Sequence, residues 1–439
     1  METLRLWLAV AGLVAVVVLL IKKRDTKTVL LGVGLLLCVL SLKPMDGLTA
    51  FTTGMVKAGL IKAICASMGF AFVLRYTKCD QQLVDALTKP LGNIGFFLIP
   101  LVTILTYFIN IALPSAAGCS AAVGTTLIPL MMAAGIRPAM AAAAVFAGTF
   151  GGTLSPGSAH NIFVTEMVVK SGNAAYTVQD VIKVQMPSAL TALAIVLISM
   201  SLVAIVLKDY NKGTNYLLAS GGVAATDTPK EDVKINYLHA LMPLIPLAIL
   251  IVGGTSLNEI SWLKWTKMGV AEAMIIGAIV TLFVTWTNPE TITKEFFKGM
   301  GSAYADVMGI IIAAGVFVAG LSACGAIDYI IEILKNEQEY VKFGGTFIPF
   351  MMAVVTGSGD AAAFAFNEAI TTHASDFGFA QDKLGMAAAI AGALGRTASP
   401  LAGGCIVCAG LAGVSPFEIA KRTALGMVIS VIVIAFVIL

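Results

Sequence analysis

The sequence predicts an all-α polytopic membrane protein, on three observations: an apolar composition, long uncharged runs, and a first half that recurs in the second. Hydrophobic residues make up 58% of the 439 residues and charged residues only 12%, and the mean hydropathy is +0.92. Soluble domains carry about 25% charged residues. A soluble fold of this length would therefore lack the charges to cover its core, whereas a protein in lipid needs an apolar surface.

Charge and cysteine usage argue against other classes. The net charge of +3 is spread along the chain and forms no basic stripe for a nucleic acid. Cys405 and Cys408 form a CxxC pair, but no second pair or histidine cluster completes a metal site. We interpret both cysteines as helix-packing residues, and we expect no resident cofactor and no enzymatic centre.

Uncharged runs locate the membrane spans, because a helix needs about 20 apolar residues to cross a bilayer. The predicted spans are 5–22, 28–42, 54–76, 184–207, 237–257, 268–288, 300–323 and 423–439. Segment 208–236 is polar and rich in Lys, Gly, Ser and Thr. This composition predicts a flexible cytoplasmic linker between two halves.

The second half repeats the first. Gly54-Met55 recurs as Gly299-Met300, and Cys79 as Cys324, each 245 residues later. GTFGGTLSP at 148–156 matches GALGRTASP at 392–400 in five of nine positions, at an offset of 244. Several matches at nearly one offset predict two repeat units, 1–207 and 237–439.

Each unit is predicted to contain a re-entrant hairpin and a broken helix. The hairpins cover about 93–134 and 344–373, and the broken helices about 138–172 and 384–414. Each unit then crosses the membrane five times, and an odd number inverts the second unit, with about 10 spans and 2 hairpins in all. Inverted repeats place a binding site near the membrane midplane, between discontinuous helices.

Basic residues predict the orientation in the membrane. With both termini outside, 16 of the 28 Lys and Arg residues are cytoplasmic, nine are outside and three lie in spans. The bias favours this topology over its reverse.

Four loops interrupt the apolar segments: PSAAGCS at 114–120, GGTLSPGSAHN at 151–161, TGSGDAA at 356–362 and GRTASPLAGG at 395–404. Proline and glycine break the helix and free backbone groups, which in lipid must be paired or must line a wet cavity. The helix N-termini and hydroxyls there suit a carboxylate. The alternative is close helix packing at small residues, but four such loops in repeat-related pairs favour a site.

Arg396 belongs to one half only, because the repeat has Gly152 at the equivalent position. A charge in the membrane costs about 2.5–3.5 kcal/mol on insertion scales. The planar guanidinium suits bidentate binding of a carboxylate. The alternative is a structural ion pair with Asp360 or Asp306.

Acids and amides in the apolar segments are the candidate ion-coupling groups, for H⁺ or Na⁺. They are Asp306, Asp360, Glu368, Asn161 and Asn367. An isolated buried carboxyl group tends to hold a proton, and neutral amides can join freed carbonyls around a cation. His160 is interpreted as a loop hydrogen-bonding residue rather than a proton relay.

VTGSGDAAAFAFNEAI at 355–370, LGRTASP at 394–400 and GVSPFEIAKRT at 413–423 resemble the DcuC family of anaerobic C4-dicarboxylate carriers, within the wider ion transporter superfamily. The resemblance implies a secondary transporter of succinate, fumarate or malate in the bacterial inner membrane. Transport would proceed by ion-coupled symport or exchange, with elevator-like or rocking alternating access, and a homodimer would be compatible with it.

The resemblance also implies a substrate site where the hairpin tips meet the broken-helix loops. Its residues would be Ser115, Gly118, Ser120, Thr153, Ser155, Ser358, Gly359, Arg396, Thr397 and Ser399. The chain departs from the family pattern at Asp360, where asparagine is expected. An aspartate there repels a dianion unless it is protonated or paired with Arg396.

Three other functions compete with this one. The substrate can be another organic anion, such as a monocarboxylate or an amino acid, and the protein can instead be an ion channel or exchanger. Gly357-Ser358-Gly359-Asp360 also fits the GxGD pattern of intramembrane aspartyl proteases, with Asp306 as the second aspartate. A protease, however, would have no use for an inverted repeat.

Overall fold

The computed structural model describes residues 2–22, 24–88, 94–219, 235–254, 260–336 and 338–437. These residues form helices and no strand, and a single antiparallel bridge joins Ile136 to Tyr210. Six of the described helices are long and apolar enough to cross a membrane, and several apolar helices are shorter. The polytopic helical class predicted from composition is therefore confirmed.

The first half contains ten helices before the predicted linker, counted over the described residues. They are α1 (Glu2–Ile21), α2 (Thr26–Leu40), α3 (Pro44–Met55), α4 (Ala58–Tyr76), α5 (Cys79–Thr88), α6 (Leu98–Ala112), α7 (Ala116–Ala133), α8 (Pro138–Ala147), α9 (Ala159–Lys170) and α10 (Val178–Val206). 3₁₀ turns cover Gly95–Phe97 and Gly148–Leu154.

The remaining described helices follow α10. They are α11 (Tyr216–Ala219), α12 (Tyr237–Leu241), α13 (Ile245–Gly253), α14 (Val270–Thr285), α15 (Pro289–Ala303), α16 (Gly309–Ala323), α17 (Ala326–Asn336), α18 (Gln338–Thr356), α19 (Gly359–Ala369), α20 (Gln381–Thr397), α21 (Gly403–Ala412) and α22 (Pro416–Val437). A π-helical turn, Tyr304–Met308, joins α15 to α16, and 3₁₀ turns cover Met242–Leu244, Ser261–Thr266 and Thr371–Phe377.

The apolar runs predicted the other long helices closely, but they missed the four-residue α11 and all or most of α3, α5, α15 and α17. The last four are helices with acidic first turns. Four predicted regions fall partly outside the described residues: 220–234 of the linker, 93 at the start of the first hairpin, 255–257 of one span, and 438–439 of the last span.

Helix pairs contributed by the two halves form much of the packing. Helix α2 lies along α16, α4 along α15 and α10 along α22. Small residues permit close approach: a Cβ at Gly34 would lie 2.7 Å from the backbone of Phe317, and one at Gly320 would lie 2.6 Å from the carbonyl oxygen of Gly34. The close approach of α2 to α16 therefore depends on these two glycines.

An ion pair attaches the start of the predicted linker to the last helix. Asp209, which is fully buried, accepts two hydrogen bonds from Arg422 of α22, at 2.8 and 2.9 Å. The Asp209 carbonyl accepts from the Arg137 N–H at 2.8 Å, next to the first residue of α8. The chain just after α10 is therefore packed against both α8 and α22.

All seven cysteines are free and buried, and none is more than 3% exposed. Cys405 and Cys408 lie on α21, in the same apolar core as Cys119 of α7. Their placement agrees with a packing role.

Candidate functional site

A cavity of about 370 Å³ lies where the four predicted loops meet. Its volume is within the range of about 300–1,000 Å³ that is usual for small-molecule sites. The C-terminal half of α4 completes the wall. Both halves of the chain contribute lining residues, so neither half contains the site alone.

Two of the helices that begin at this cavity are each capped by a serine side chain. Ser115 precedes α7, and its Oγ accepts from the Gly118 N–H at 3.2 Å. Ser358 precedes α19, and its Oγ accepts from the Ala361 N–H at 3.2 Å. Helix N-termini carry partial positive charge, so both helices favour an anion in the cavity.

Glycine is needed at the second of these breaks. Gly357 has φ +73°, and a Cβ there would lie 2.6 Å from the carbonyl carbon of Leu401. Only glycine adopts this backbone conformation without cost. The close approach brings the α18–α19 junction against the loop that follows α20.

Arg396 lines the cavity from the last turn of α20. Its Nη2 donates to the Thr149 carbonyl at 2.8 Å, which joins the two halves. Its Nε is buried and makes no hydrogen bond within the described chain. A guanidinium has five N–H donors, so Arg396 keeps unused donors at the cavity.

Asp360 is paired with His160, not with Arg396. His160 Nε2 lies 2.8 Å from Asp360 Oδ1. The His160 side chain is 8% exposed and stacks on Phe364, with ring centroids 4.7 Å apart, whereas the Asp360 side chain is 47% exposed and lines the cavity. The hydrogen bond predicted for His160 therefore joins α9 to the start of α19.

The other two predicted acids lie outside the cavity lining. Asp306 is 66% exposed at its side chain and lies 3.6 Å from Lys27 Nζ. Glu368 forms a part-buried ion pair with Lys57, the residue that precedes α4. Neither acid approaches Arg396 within 4.0 Å.

Neither of the two predicted amides lines the cavity, and only Asn161 supports one of the loops. Asn161 Nδ2 donates to the carbonyls of Thr153 and Ser155, at 2.9 and 2.8 Å. Its Oδ1 is buried and has no partner among the described residues. Asn367 Nδ2 donates to the Gly385 carbonyl at 3.3 Å, and its Oδ1 accepts from Thr371.

Seven of the ten predicted substrate residues line the cavity: Ser115, Gly118, Thr153, Ser155, Ser358, Gly359 and Arg396. The other three are buried behind it. Thr397 and Ser399 donate to the carbonyls of Ala393 and Val354, at 2.8 and 2.7 Å, and Ser120 Oγ has no partner among the described residues. These three hydroxyls therefore lie in the protein interior next to the cavity and do not line it.

Arg75 and Asp80 line the cavity as well, although the charge pattern marked Arg75 only as one of the 16 basic residues expected on the cytoplasmic side. Arg75 lies in the last turn of α4, and Asp80 in the first turn of α5. A basic residue at a helix end is too common to single out from the sequence. Only its position beside Gly118 of α7 identifies it.

Comparison with known proteins assigns the family. The model of the family described as "DcuC: C4-dicarboxylate anaerobic carrier" matches residues 33–439. An uncharacterised transporter of Haemophilus influenzae is 50% identical over 282 residues, which are 64% of this chain and 98% of that protein. The anaerobic C4-dicarboxylate transporter DcuC of Escherichia coli K12 is 26% identical over 396 residues, 85% of this chain and 78% of that one. With a match that extends over nearly its whole length, the chain belongs to the DcuC family of carriers.

Proposed function

We propose that this protein is an ion-coupled secondary transporter of C4-dicarboxylates such as succinate, fumarate and malate, in a bacterial inner membrane. The observation that carries the proposal is Arg396, which has unused donors in a cavity formed by both halves. A fork of N–H donors suits a carboxylate. The names of the DcuC relatives supply the substrate class.

The proposed architecture is an inverted repeat of two five-span units. Helices α6 and α7 form the first re-entrant hairpin, and α18 and α19 the second. The pairs α8–α9 and α20–α21 are the two broken helices. Their four breaks all contribute to the cavity lining, which supports this assignment.

Alternating access would expose the cavity at opposite ends of α4. Arg75, in the last turn of α4, is exposed and lines the cavity. Lys57 precedes the other end, about 27 Å away at 1.5 Å per residue, where it pairs with Glu368. Opening the Lys57 end would require this ion pair to break.

Asp360 is the best candidate for the coupling group if the ion is a proton. An ionised Asp360 would repel a dianion bound at Arg396, because like charges in one cavity raise the energy of both. A proton on the Asp360–His160 pair removes that repulsion, so the proton and the substrate would bind together. The unpartnered Oδ1 of Asn161 is the corresponding candidate for Na⁺.

Transport in liposomes tests the function. Purified protein should take up labelled succinate, fumarate and malate, and an imposed H⁺ or Na⁺ gradient should accelerate uptake. Protein-free liposomes are the control. Three results would refute the proposal. Uptake restricted to monocarboxylates or amino acids would indicate a carrier of another organic anion, and a cation flux unaffected by dicarboxylates would indicate a channel or exchanger. Cleavage of a membrane peptide would indicate a protease.

Neutralising Asp360 tests the coupling group. We expect Asp360→Asn to exchange dicarboxylates across the membrane but to lose acceleration by a pH gradient. Asp306→Asn is the matched control, since Asp306 is exposed and lies outside the cavity lining. Full acceleration by the pH gradient in Asp360→Asn would place the coupling elsewhere.

A further inference from the structure

A second arginine, Arg75, borders the cavity and makes no hydrogen bond among the described residues. No carboxylate of the described chain lies within 4.0 Å of it, Asp80 attracts it only from farther away, and the Phe72 ring centroid is 5.4 Å from its Cζ. Arg75 is exposed in the last turn of α4. Nothing in the described fold uses the donors of this guanidinium.

The Arg75 guanidinium lies against the tip of the first hairpin. A Cβ built on Gly118 would be 3.3 Å from Arg75 Nη2. Gly118 is in the first turn of α7, whose N-terminus adds partial positive charge at the same place. Because Gly118 has no side chain, it leaves the Arg75 guanidinium uncovered. The N-terminus of α7, which also favours an anion, lies next to it.

Asp80 is the one acid that shares this part of the cavity with Arg75, among the described lining residues. Its carboxylate is more than 4.0 Å from the guanidinium, and its Oδ1 accepts from the Gln81 N–H at 2.8 Å. Asp360, the other acid in the lining, pairs with His160. Neither carboxylate occupies the Arg75 fork.

We infer that Arg75 is a specificity-determining residue that binds the second carboxylate of the substrate through two parallel N–H···O bonds, while Arg396 binds the first. The inference rests on the proposed function and deepens it. A dicarboxylate satisfies both arginines at once. A monocarboxylate leaves one guanidinium unpaired, so the pair selects for dianions with two separated carboxylates.

Binding of succinate and of butyrate to the purified full-length protein tests the inference, because both have four carbons but butyrate has one carboxylate. We expect Arg75→Gln to weaken succinate binding by at least about a hundredfold, because it loses the charge and both hydrogen bonds, and to leave butyrate binding unchanged. Arg75→Lys keeps the charge but loses the fork, and it should also weaken succinate binding. Lys78→Gln, an exposed basic residue outside the cavity lining, is the control and should behave as wild type.

The outcomes separate this inference from the proposed function. If wild-type protein binds none of the C4-dicarboxylates, the proposed function fails. If wild type prefers succinate and Arg75→Gln keeps the same preference, the role of Arg75 is overturned and the proposed function stands. An equal loss for succinate and butyrate would also overturn it, since that is the mark of structural damage. Should Arg75→Gln not fold, Arg75→Lys decides: wild-type selectivity in that variant overturns the inference.

Discussion

Replacing Arg396 gives the sharpest test of the site. Its guanidinium gives one donor, Nη2, to the Thr149 carbonyl, and its buried Nε has no partner in the described chain. The protein encloses Nε, so the remaining N–H groups of Nη1 and Nη2 are the ones that can form a parallel pair of hydrogen bonds with one carboxylate. Each charge-assisted hydrogen bond contributes about 1.5–3 kcal/mol.

Two variants separate charge from geometry. Arg396→Lys keeps the charge but loses the fork, so we expect dicarboxylate affinity to fall about ten- to a hundredfold. Arg396→Gln loses the charge as well, and the loss should reach at least about a hundredfold. The glutamine side chain is two atoms shorter, so this variant also loses the hydrogen bond to the Thr149 carbonyl, and the unfolding midpoint measures that loss separately from binding.

The assay is calorimetric titration of purified protein with succinate, alongside the thermal unfolding midpoint of each variant. A purely structural Arg396 predicts the opposite pattern: Arg396→Gln would lower the unfolding midpoint, while its folded fraction would bind succinate as wild type does. Wild-type affinity in folded Arg396→Gln would refute the reasoning and remove Arg396 from the substrate site.

Three further predictions concern the residues that hold the site in place. Lys57→Met or Glu368→Gln should each lower the unfolding midpoint, because an unpaired part-buried group costs about 1–3 kcal/mol. The double variant should regain the wild-type unfolding midpoint and keep gradient-driven uptake. Arg422→Met should destabilise the protein by about 3–5 kcal/mol in thermal unfolding, because it leaves the buried Asp209 unpaired. Gly357→Ala should cost about 1–2 kcal/mol from its left-handed backbone alone and should reduce uptake, because the junction of α18 and α19 at the cavity moves.

Matched controls accompany these variants. Lys421→Met removes an exposed charge next to Arg422 and should leave the unfolding midpoint unchanged. Gly410→Ala adds a methyl group where no atom lies within 4 Å, and it should retain full uptake. Equal effects in a test variant and its control would contradict the corresponding explanation. Loss of gradient-driven uptake in the Lys57/Glu368 double variant would return Glu368 to the list of coupling groups.

The sequence predicted the helix breaks well, because proline, glycine and serine interrupt apolar runs for local steric reasons. Pro114 and Ser115 end one helix and cap the next, and Gly357 and Ser358 do the same in the second half. Helix breaking is decided within a few residues of the chain. For that reason the breaks could be located without the tertiary fold.

Partnerships between distant residues could not be predicted in this way. His160 and Asp360 are 200 residues apart, and Asp209 and Arg422 are 213 apart. Which acid meets which base depends on helix packing, and helices that are apolar on most faces carry little periodic signal for their orientation. Asp360 and Arg396 therefore looked like natural partners in the sequence, although each has a different partner in the fold.

The burial of every native thiol has a practical consequence for labelling chemistry. Maleimides react with accessible thiolates, and none of the seven cysteines exceeds 3% exposure. A single cysteine introduced at the exposed Lys212 position should therefore be tagged far ahead of the native ones. Membrane-impermeant reagents can then report which side of the membrane this segment faces, without the removal of any native cysteine.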